Sequence, residues 1–467
     1  MPEITHHTDP DALNPQPPLP LVRTALGYIA MIVLAVAVFF VIRHYGQALV
    51  APSASAVAPA AEIAKENGGG ILPVLVALAA VIALGQVMGR LCALVGQPPV
   101  IGEVLAGIML GPSLLGAEMS AWILPPDSAP YLGIVAQLGV ILYMFLVGLE
   151  LNAEWLRGRV HVAALVSHAS IVVPFVLGAL LSLYLYPRLA ESHVSFTSFA
   201  LFVGVAMTIT AFPVLARILT DQGMARGKLG ALALSCAATD DATAWCLLAM
   251  VVGVARAEAS AAMLVVVAAL AYIIVMFLGV RPLARRLAFR WDGQHLPRGA
   301  VALVFVALLA SAAATQAIGI HALFGAFLLG VVIPHDSPVA KAFIYQLRNI
   351  TTVLLLPAFF AFTGMRTDIH LLNTVDQWLM CGAIIAVATA GKFGGTVAAA
   401  RLTGLGWRES AALGTLMNTR GLMELIVLNV GLELGVIPPP LFAMMVIMAL
   451  VTTVATSPVV RKLVPAH

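Results

Sequence analysis

Apolar runs of about 20 residues, the length a helix needs to cross a bilayer's hydrocarbon core, recur along almost the whole chain. They fall near 21–43, 71–95, 98–116, 131–151, 160–186, 196–219, 229–255, 261–280, 299–317, 320–334, 349–365, 377–400, 409–432 and 440–460. Runs this long, without the two-residue alternation of a half-buried strand, predict helices. Those near 98–116 and 320–334 are short and punctuated by Gly and Pro. The pattern predicts an all-α polytopic membrane protein with about 13 core transmembrane helices plus one extra N-terminal helix.

Basic residues test that count, because they concentrate in cytoplasmic connections. Alternate connections carry Arg157 and Arg159; Arg217, Arg226 and Lys228; Arg281, Arg285, Arg286, Arg290 and Arg298; Lys341 and Arg348; Arg401 and Arg408; and Arg461 with Lys462. The intervening ones hold only Arg188, Arg256 and Arg366. The alternation predicts a multi-pass membrane protein with its C-terminus in the cytoplasm. Along the chain it predicts a disordered cytoplasmic tail (1–20), the extra helix (21–43), a small-residue periplasmic linker (44–70), a transmembrane domain (71–460) and a short cytoplasmic tail (461–467). The stretch 51–61 also has the small residues of a signal-peptidase site, which would make 21–43 a cleaved signal; the long acidic leader argues against it.

Composition removes the soluble classes: 61% of residues are hydrophobic and 10% charged, with mean hydropathy +1.01, more apolar surface than a soluble fold of this length can hide. A net charge of +3 gives no basis for nucleic-acid binding. Cys92, Cys236, Cys246 and Cys381 form no CxxC pair, so they read as small packing residues rather than a disulfide frame or zinc site.

Against this background the polar residues inside the runs carry the chemistry. Asp240 and Asp241 sit together in 229–255, and a carboxylate at mid-bilayer costs about 2.5–3.5 kcal/mol even on lenient scales. About 100° apart on a helix, they cannot share one partner: one can face water and bind a cation while the other pairs with a buried base. Lys392, deep in its run, is that base. Two runs look like helices broken at mid-membrane, one at Thr208, Thr210 and Pro213, the other at Asn418, Thr419, Arg420 and Gly421. Seven spans separate them, which makes them antiparallel, as expected of inverted repeats whose two discontinuous helices cross at an ion site. Arg420 and Glu424 have i, i+4 spacing, and Arg420 can offset the negative helix ends. Glu103 is an intramembrane or boundary acid, Glu150 an interfacial one, and His168 a satisfied bundle histidine or a proton sensor. Gly107 and Gly111 offer a small-xxx-small face that fits either a protomer contact or internal packing.

The strings QPPVIGEVLAGIMLGPSLLG, FLVGLELN, TAFPVLARIL, TDDATAW, GIHALFGAFLLGVVIP, LPAFFAFTGMRTDI, GKFGGT and MNTRGLMELIVLNVG occur in that order. Together, over 70–460, they resemble the second monovalent cation:proton antiporter family, near the plant-type cation/proton exchangers and bacterial sodium(potassium)/proton antiporters. The resemblance implies the sodium/proton antiporter fold, with a dimerisation panel (about 71–151 and 299–365) and a mobile ion-carrying core (about 160–255 and 377–460). It implies a transporter rather than an enzyme, no cofactor, Na+ or K+ exchanged for H+ by alternating access, a homodimer in the bilayer and no nucleic-acid partner. Asp241 looks like the essential cation ligand, Asp240 like the preceding acid that electrogenic members pair with a lysine, and Lys392 stands in that lysine's place. Asp241, Asp240 and Thr210 are thus the expected cation- and proton-binding groups, with Asp241 the metal-ion ligand. Thr208, Pro213, Thr239, Asn418, Thr419, Arg420 and Glu424 are the expected support of the crossing. A cation channel, a crossed-helix solute carrier of the bile-acid type, and a structural or sensory membrane protein are the alternatives.

Overall fold

The computed structural model describes residues 21–52, 71–123, 125, 129–150, 160–224, 227–256, 259–290 and 296–464. The tail at 1–20, most of the 44–70 linker, Arg157, Arg159, Arg226 and the last three residues lie outside them. Among the described residues there is no β-strand. The helices are α1 (Leu21–Gly46), α2 (Ile71–Leu94), α3 (Pro99–Leu110), α4 (Pro112–Ile123), α5 (Ala129–Glu150), α6 (Val160–Leu189), α7 (Phe196–Thr208), α8 (Phe212–Asp221), α9 (Lys228–Arg256) and α10 (Ala259–Val275). They continue with α11 (Arg281–Ala288), α12 (Arg298–Ile318), α13 (Ala322–Val332), α14 (Pro338–Asn349), α15 (Leu356–Arg366), α16 (Val375–Leu402), α17 (Trp407–Met417), α18 (Leu422–Glu433) and α19 (Pro439–Leu463). Among the described residues, ten spans are long and apolar enough to cross a membrane. The short helices α3 and α13 and the interrupted pairs α7–α8 and α17–α18 fill the remaining four places in the expected order.

Two span limits differ from expectation, for a shared reason. The run 261–280 continues through a π segment, Met276–Val280, into α11, and the run 349–365 starts early, as α14 followed by a π segment, Ile350–Leu355. Each π segment directly precedes a helix with proline in its first turn, where the missing N–H is absorbed without ending the helix. Arg281 and Arg348, which bound the apolar runs, lie on exposed faces of helices that carry on past them.

Close glycine contacts decide how the helices sit. A Cβ on Gly391 of α16 would meet the Pro174 backbone of α6, and one on Gly395 the Ala169 carbonyl. The two long helices therefore lie almost backbone to backbone, which delivers Lys392 to α6. In α3 and α15, Gly364 lies directly against the backbone of Gly107 and Ile108, and Gly111 against the Gly364 carbonyl. Gly107 and Gly111 are thus consumed by packing within the chain, and the protomer contact considered for them is withdrawn. Around these contacts α15 packs on α2, α3 and α5, while α6 packs on α7, α9 and α16, and α16 on α17 and α19. Cys92, Cys236 and Cys381 are buried as small packing residues, but Cys246 is exposed, on the outward side of α9.

Both expected breaks are present. The α7–α8 chain leaves helical geometry after Thr208, runs extended at Ile209 and Ala211, and resumes with Pro213 in the first turn of α8, where a proline sacrifices no hydrogen bond. The second break runs from Asn418 to Gly421 between α17 and α18. Non-helical backbone at membrane depth is stable only if its polar groups are met by protein or water. Here the breaks meet each other: the Ala211 N–H donates to the Thr419 carbonyl at 2.9 Å, and the Thr210 hydroxyl lies 3.1 Å from the Met417 carbonyl.

Candidate ion site at the helix crossing

Asp240 and Asp241 leave α9 in different directions and meet opposite environments. Asp240 is fully buried and saturated. Ser167 Oγ donates to its Oδ1 at 2.6 Å, while Oδ2 has Ser170 Oγ at 2.7 Å, Thr210 Oγ1 at 2.9 Å and Lys392 Nζ at 2.8 Å. The Lys392 ammonium also donates to Thr210 Oγ1 at 2.6 Å and lies 3.5 Å from Ser170 Oγ. Thr210 has one hydroxyl proton for either Asp240 or Met417, so its contact with Lys392 is as an acceptor. It links the ammonium to the carbonyl end of α17.

Asp241 is 2% exposed and makes no ion pair among the described residues. Neither of its oxygens has a partner at ordinary hydrogen-bond geometry. The backbone donor directed at it is the Phe212 N–H in the first turn of α8, the positive end of a half-helix. A buried carboxylate so placed is held by a dipole and left without a compensating charge.

Arg420 closes the other side. Entirely buried, it donates to the Ala206 carbonyl at 3.0 Å, the Met207 carbonyl at 2.8 Å and Glu424 at 2.8 Å. The two carbonyls belong to the last turn of α7, its negative end, and Glu424 lies in the first turn of α18, a positive end. Each partner is therefore of the sign that stabilises the helix terminus it meets. Because α18 begins at Leu422, the Arg420–Glu424 pair ties the break to the first turn of α18 instead of lying within a helix as its spacing suggested. Thr453 of α19 holds the break itself, accepting from the Arg420 N–H at 3.0 Å and donating to the Arg420 carbonyl at 2.7 Å.

The buried carboxyl and basic side chains among the described residues are Asp240, Asp241, Glu424, Lys392 and Arg420. Three carboxyl groups thus face two bases. Asp241 is the carboxyl group that neither base pairs with.

The structure joins Asp240, Lys392 and Thr210 in one cluster and Arg420 with Glu424 in another. Thr419 lies 3.4 Å from Thr456 of α19. Asn418 is buried with its carbonyl oxygen unpartnered. Thr208 and Thr239 return their hydroxyls to their own helices, at the Val205 and Ser235 carbonyls, and take no part in either cluster. Pro213 acts through its backbone. Glu103 is half-buried, its Cγ beside Gly85 of α2; Glu150 pairs with Arg348; His168 meets the Ala164 carbonyl at 2.7 Å and stands edge-on to Tyr28 of α1. Ser167, Ser170 and Thr453 escaped the sequence reading. The visible signal for the serines was their i, i+3 spacing on one face of an apolar span.

The chain matches the sodium/hydrogen exchanger transmembrane family over residues 74–462. It belongs to that family. Among exchanger relatives, the Na(+)/H(+) antiporter NhaS4 of Synechocystis is 44% identical over 402 residues, covering 85% of this chain and 98% of that protein. The Cation/H(+) antiporter 20 of Arabidopsis thaliana is 36% identical over 83% of this chain and 48% of that protein. For the K(+)/H(+) antiporter 1 of Saccharomyces cerevisiae the values are 34%, 79% and 44%, so the chain spans about half the length of these plant and yeast relatives. In fold, it is similar to the sodium proton antiporter MjNhaP1 of Methanocaldococcus jannaschii, with a TM-score of 0.61, 15% identity and coverage of 83% of this chain and 96% of that one. The sodium/proton antiporter fold that the family resemblance implied is therefore the fold of this chain.

Proposed function

We propose that the chain is a monovalent cation/proton antiporter of a bacterial inner membrane, exchanging Na+ or K+ for H+, with cation and proton competing for Asp241. The observation that carries this reading is the charge count at the crossing, with one buried carboxylate in excess on a residue that no base pairs. A low-dielectric interior penalises an uncompensated charge heavily. One proton or one monovalent cation neutralises it, so departure of either calls for the other. That is antiport by competition. Relatives named for Na+/H+ and for K+/H+ exchange support the class of ion.

Alternating access follows if spans 160–255 and 377–460 move as a core against a panel of spans 71–151 and 299–365. The groups that bind Asp240, Ser167, Ser170, Thr210 and Lys392, all belong to the first set, as do the partners of Arg420. The site can thus travel without being dismantled. The arginine-rich connections face the cytoplasm together with the C-terminus, and the panel joins two copies into a dimer. Lys392 releases a second proton when the Asp240 environment changes on cation arrival, which makes exchange electrogenic at two protons per cation. The test is proton flux in reconstituted proteoliposomes titrated separately with Na+, K+, Li+ and Rb+. Cation-driven proton movement that Asp241→Asn abolishes is expected; cation conduction without proton movement would instead mark a channel.

A further inference from the structure

Arg366 ends α15 and Glu433 ends α18 at the end of the bundle opposite the arginine-rich connections. Arg366 Nη1 lies 3.2 Å from Glu433 Oε1 and 3.4 Å from Asn429 Oδ1, and the guanidinium stands 3.9 Å over the Phe362 ring. The Asn429 amide is oriented by its nitrogen, which donates to Thr363 Oγ1 and to the Leu425 carbonyl, each at 2.9 Å. Its oxygen is consequently turned to the spot where the Glu433 carboxylate also points. Two oxygens and an aromatic face converge on one cation, and that cation is a side chain. With 30% and 32% exposure of the two charged side chains, water reaches the place. A cleft lined by Gln137, His321, Phe362, Asn429 and Glu433 adjoins it.

The tethered cation and its oxygens are on helices of different packing groups. Arg366 and Phe362 ride on α15, which packs on α2, α3 and α5, whereas Asn429 and Glu433 ride on α18, which packs on α7 and α19. If the second group moves relative to the first, the guanidinium must leave together with Thr363, and Glu433 Oε1 and Asn429 Oδ1 are left facing solvent, with the Asn429 amide still held by the Leu425 carbonyl of its own helix. We propose that Glu433 and Asn429 form an outer relay site for the transported monovalent cation, and that Arg366 is a built-in cation that fills it while the outer end is closed. The proposal rests on the antiport reading above. In it Arg366 does two things by one displacement: it ties the outer ends of α15 and α18 together, and it denies the relay to an external cation until they part.

The experiment compares the two faces of the membrane. Sodium-driven proton flux is measured in right-side-out and in everted vesicles from cells making the wild type, Glu433→Gln or Arg366→Gln, each checked for a monodisperse detergent-extracted peak. For Glu433→Gln the sodium KM at the outer face is expected to rise about tenfold, the equivalent of losing about 1.4 kcal/mol of binding, while the KM at the cytoplasmic face stays within about twofold of wild type. The second readout is labelling of Ala136→Cys, buried in the wall of the cleft beside Glu433, by a membrane-impermeant maleimide, with the four native cysteines replaced by alanine. Arg366→Gln should speed that labelling severalfold, because the outer ends part more often. Equal KM changes at both faces, or labelling indifferent to Arg366, overturns the proposal while leaving antiport standing. A wild-type chain with no cation-dependent proton flux removes the antiport reading and this proposal with it.

Discussion

Removing both members of the Asp240–Lys392 pair is expected to leave an exchanger that works but no longer responds to voltage. The reasoning starts from the buried charges. In the wild type Asp240, Asp241 and Glu424 face Lys392 and Arg420. The double variant Asp240→Asn/Lys392→Gln leaves Asp241 and Glu424 against Arg420, again with one carboxylate in excess, so competition between cation and proton at Asp241 survives. Each single variant strands a buried charge. Lys392→Gln leaves Asp240 with only its hydroxyl donors, and Asp240→Asn leaves the ammonium beside Thr210 and Ser170, so each is expected to cost about 3–5 kcal/mol in stability. The double variant should cost less than the sum, with a coupling of about 2–3 kcal/mol between neighbours in one network. Stability is read by unfolding in mixed micelles titrated with SDS. Transport is read in proteoliposomes under a potassium/valinomycin potential with sodium as counter-substrate. At two protons per cation each cycle carries one net charge, and 100 mV contributes about 2.3 kcal/mol. That is about 50-fold in the sodium gradient sustained at the end-point, and the double variant should lose it. A double variant as inert as Asp241→Asn, or a wild-type end-point indifferent to the potential, would refute the division of labour between the two aspartates.

Further expectations follow from the same contacts. Asp241→Asn should abolish exchange without loss of expression, measured as cation-dependent proton flux, since it removes the carboxyl group that neither base pairs with and none of the hydrogen bonds described. Arg420→Ala should destabilise the protein by about 3–5 kcal/mol, because it frees Glu424 and two carbonyls of α7 inside the core, whereas Glu150→Ala at the half-exposed pair with Arg348 should cost under about 1 kcal/mol; mixed-micelle unfolding separates them. Ser170→Ala should cost about 1.5–3 kcal/mol, the range for a hydrogen bond to a charged group, with a matching loss in the same unfolding assay. Gly364→Ala, which drives a methyl group into the Gly107 backbone, should cost about 1–3 kcal/mol as overpacking and lower the midpoint of the same unfolding curve.

A membrane fold writes much of itself into sequence, because the bilayer imposes one rule on every span. The apolar runs, the alternation of Arg and Lys between connections, and the polar interruptions at Thr208–Pro213 and Asn418–Gly421 were legible in the sequence, since a charge or a broken backbone inside hydrocarbon stands out from its neighbours. Asp240, Asp241, Lys392 and Arg420 could be singled out for the same reason. Adjacency could not say which aspartate takes the lysine. That depends on the closeness of α16 to α6, permitted by Gly391 and Gly395, and on Ser167 and Ser170, whose hydroxyls look in sequence like any serines that return their proton to their own helix. Tertiary structure alone also showed Arg420 reaching the carbonyls of α7, more than 200 residues away, Gly107 and Gly111 spent on Gly364 inside the chain, and Arg366 lodged between Glu433 and Asn429. Span limits shifted where π segments carried helices through proline. Local pattern records what a residue costs in lipid; which distant group offsets that cost is a property of how the helices pack.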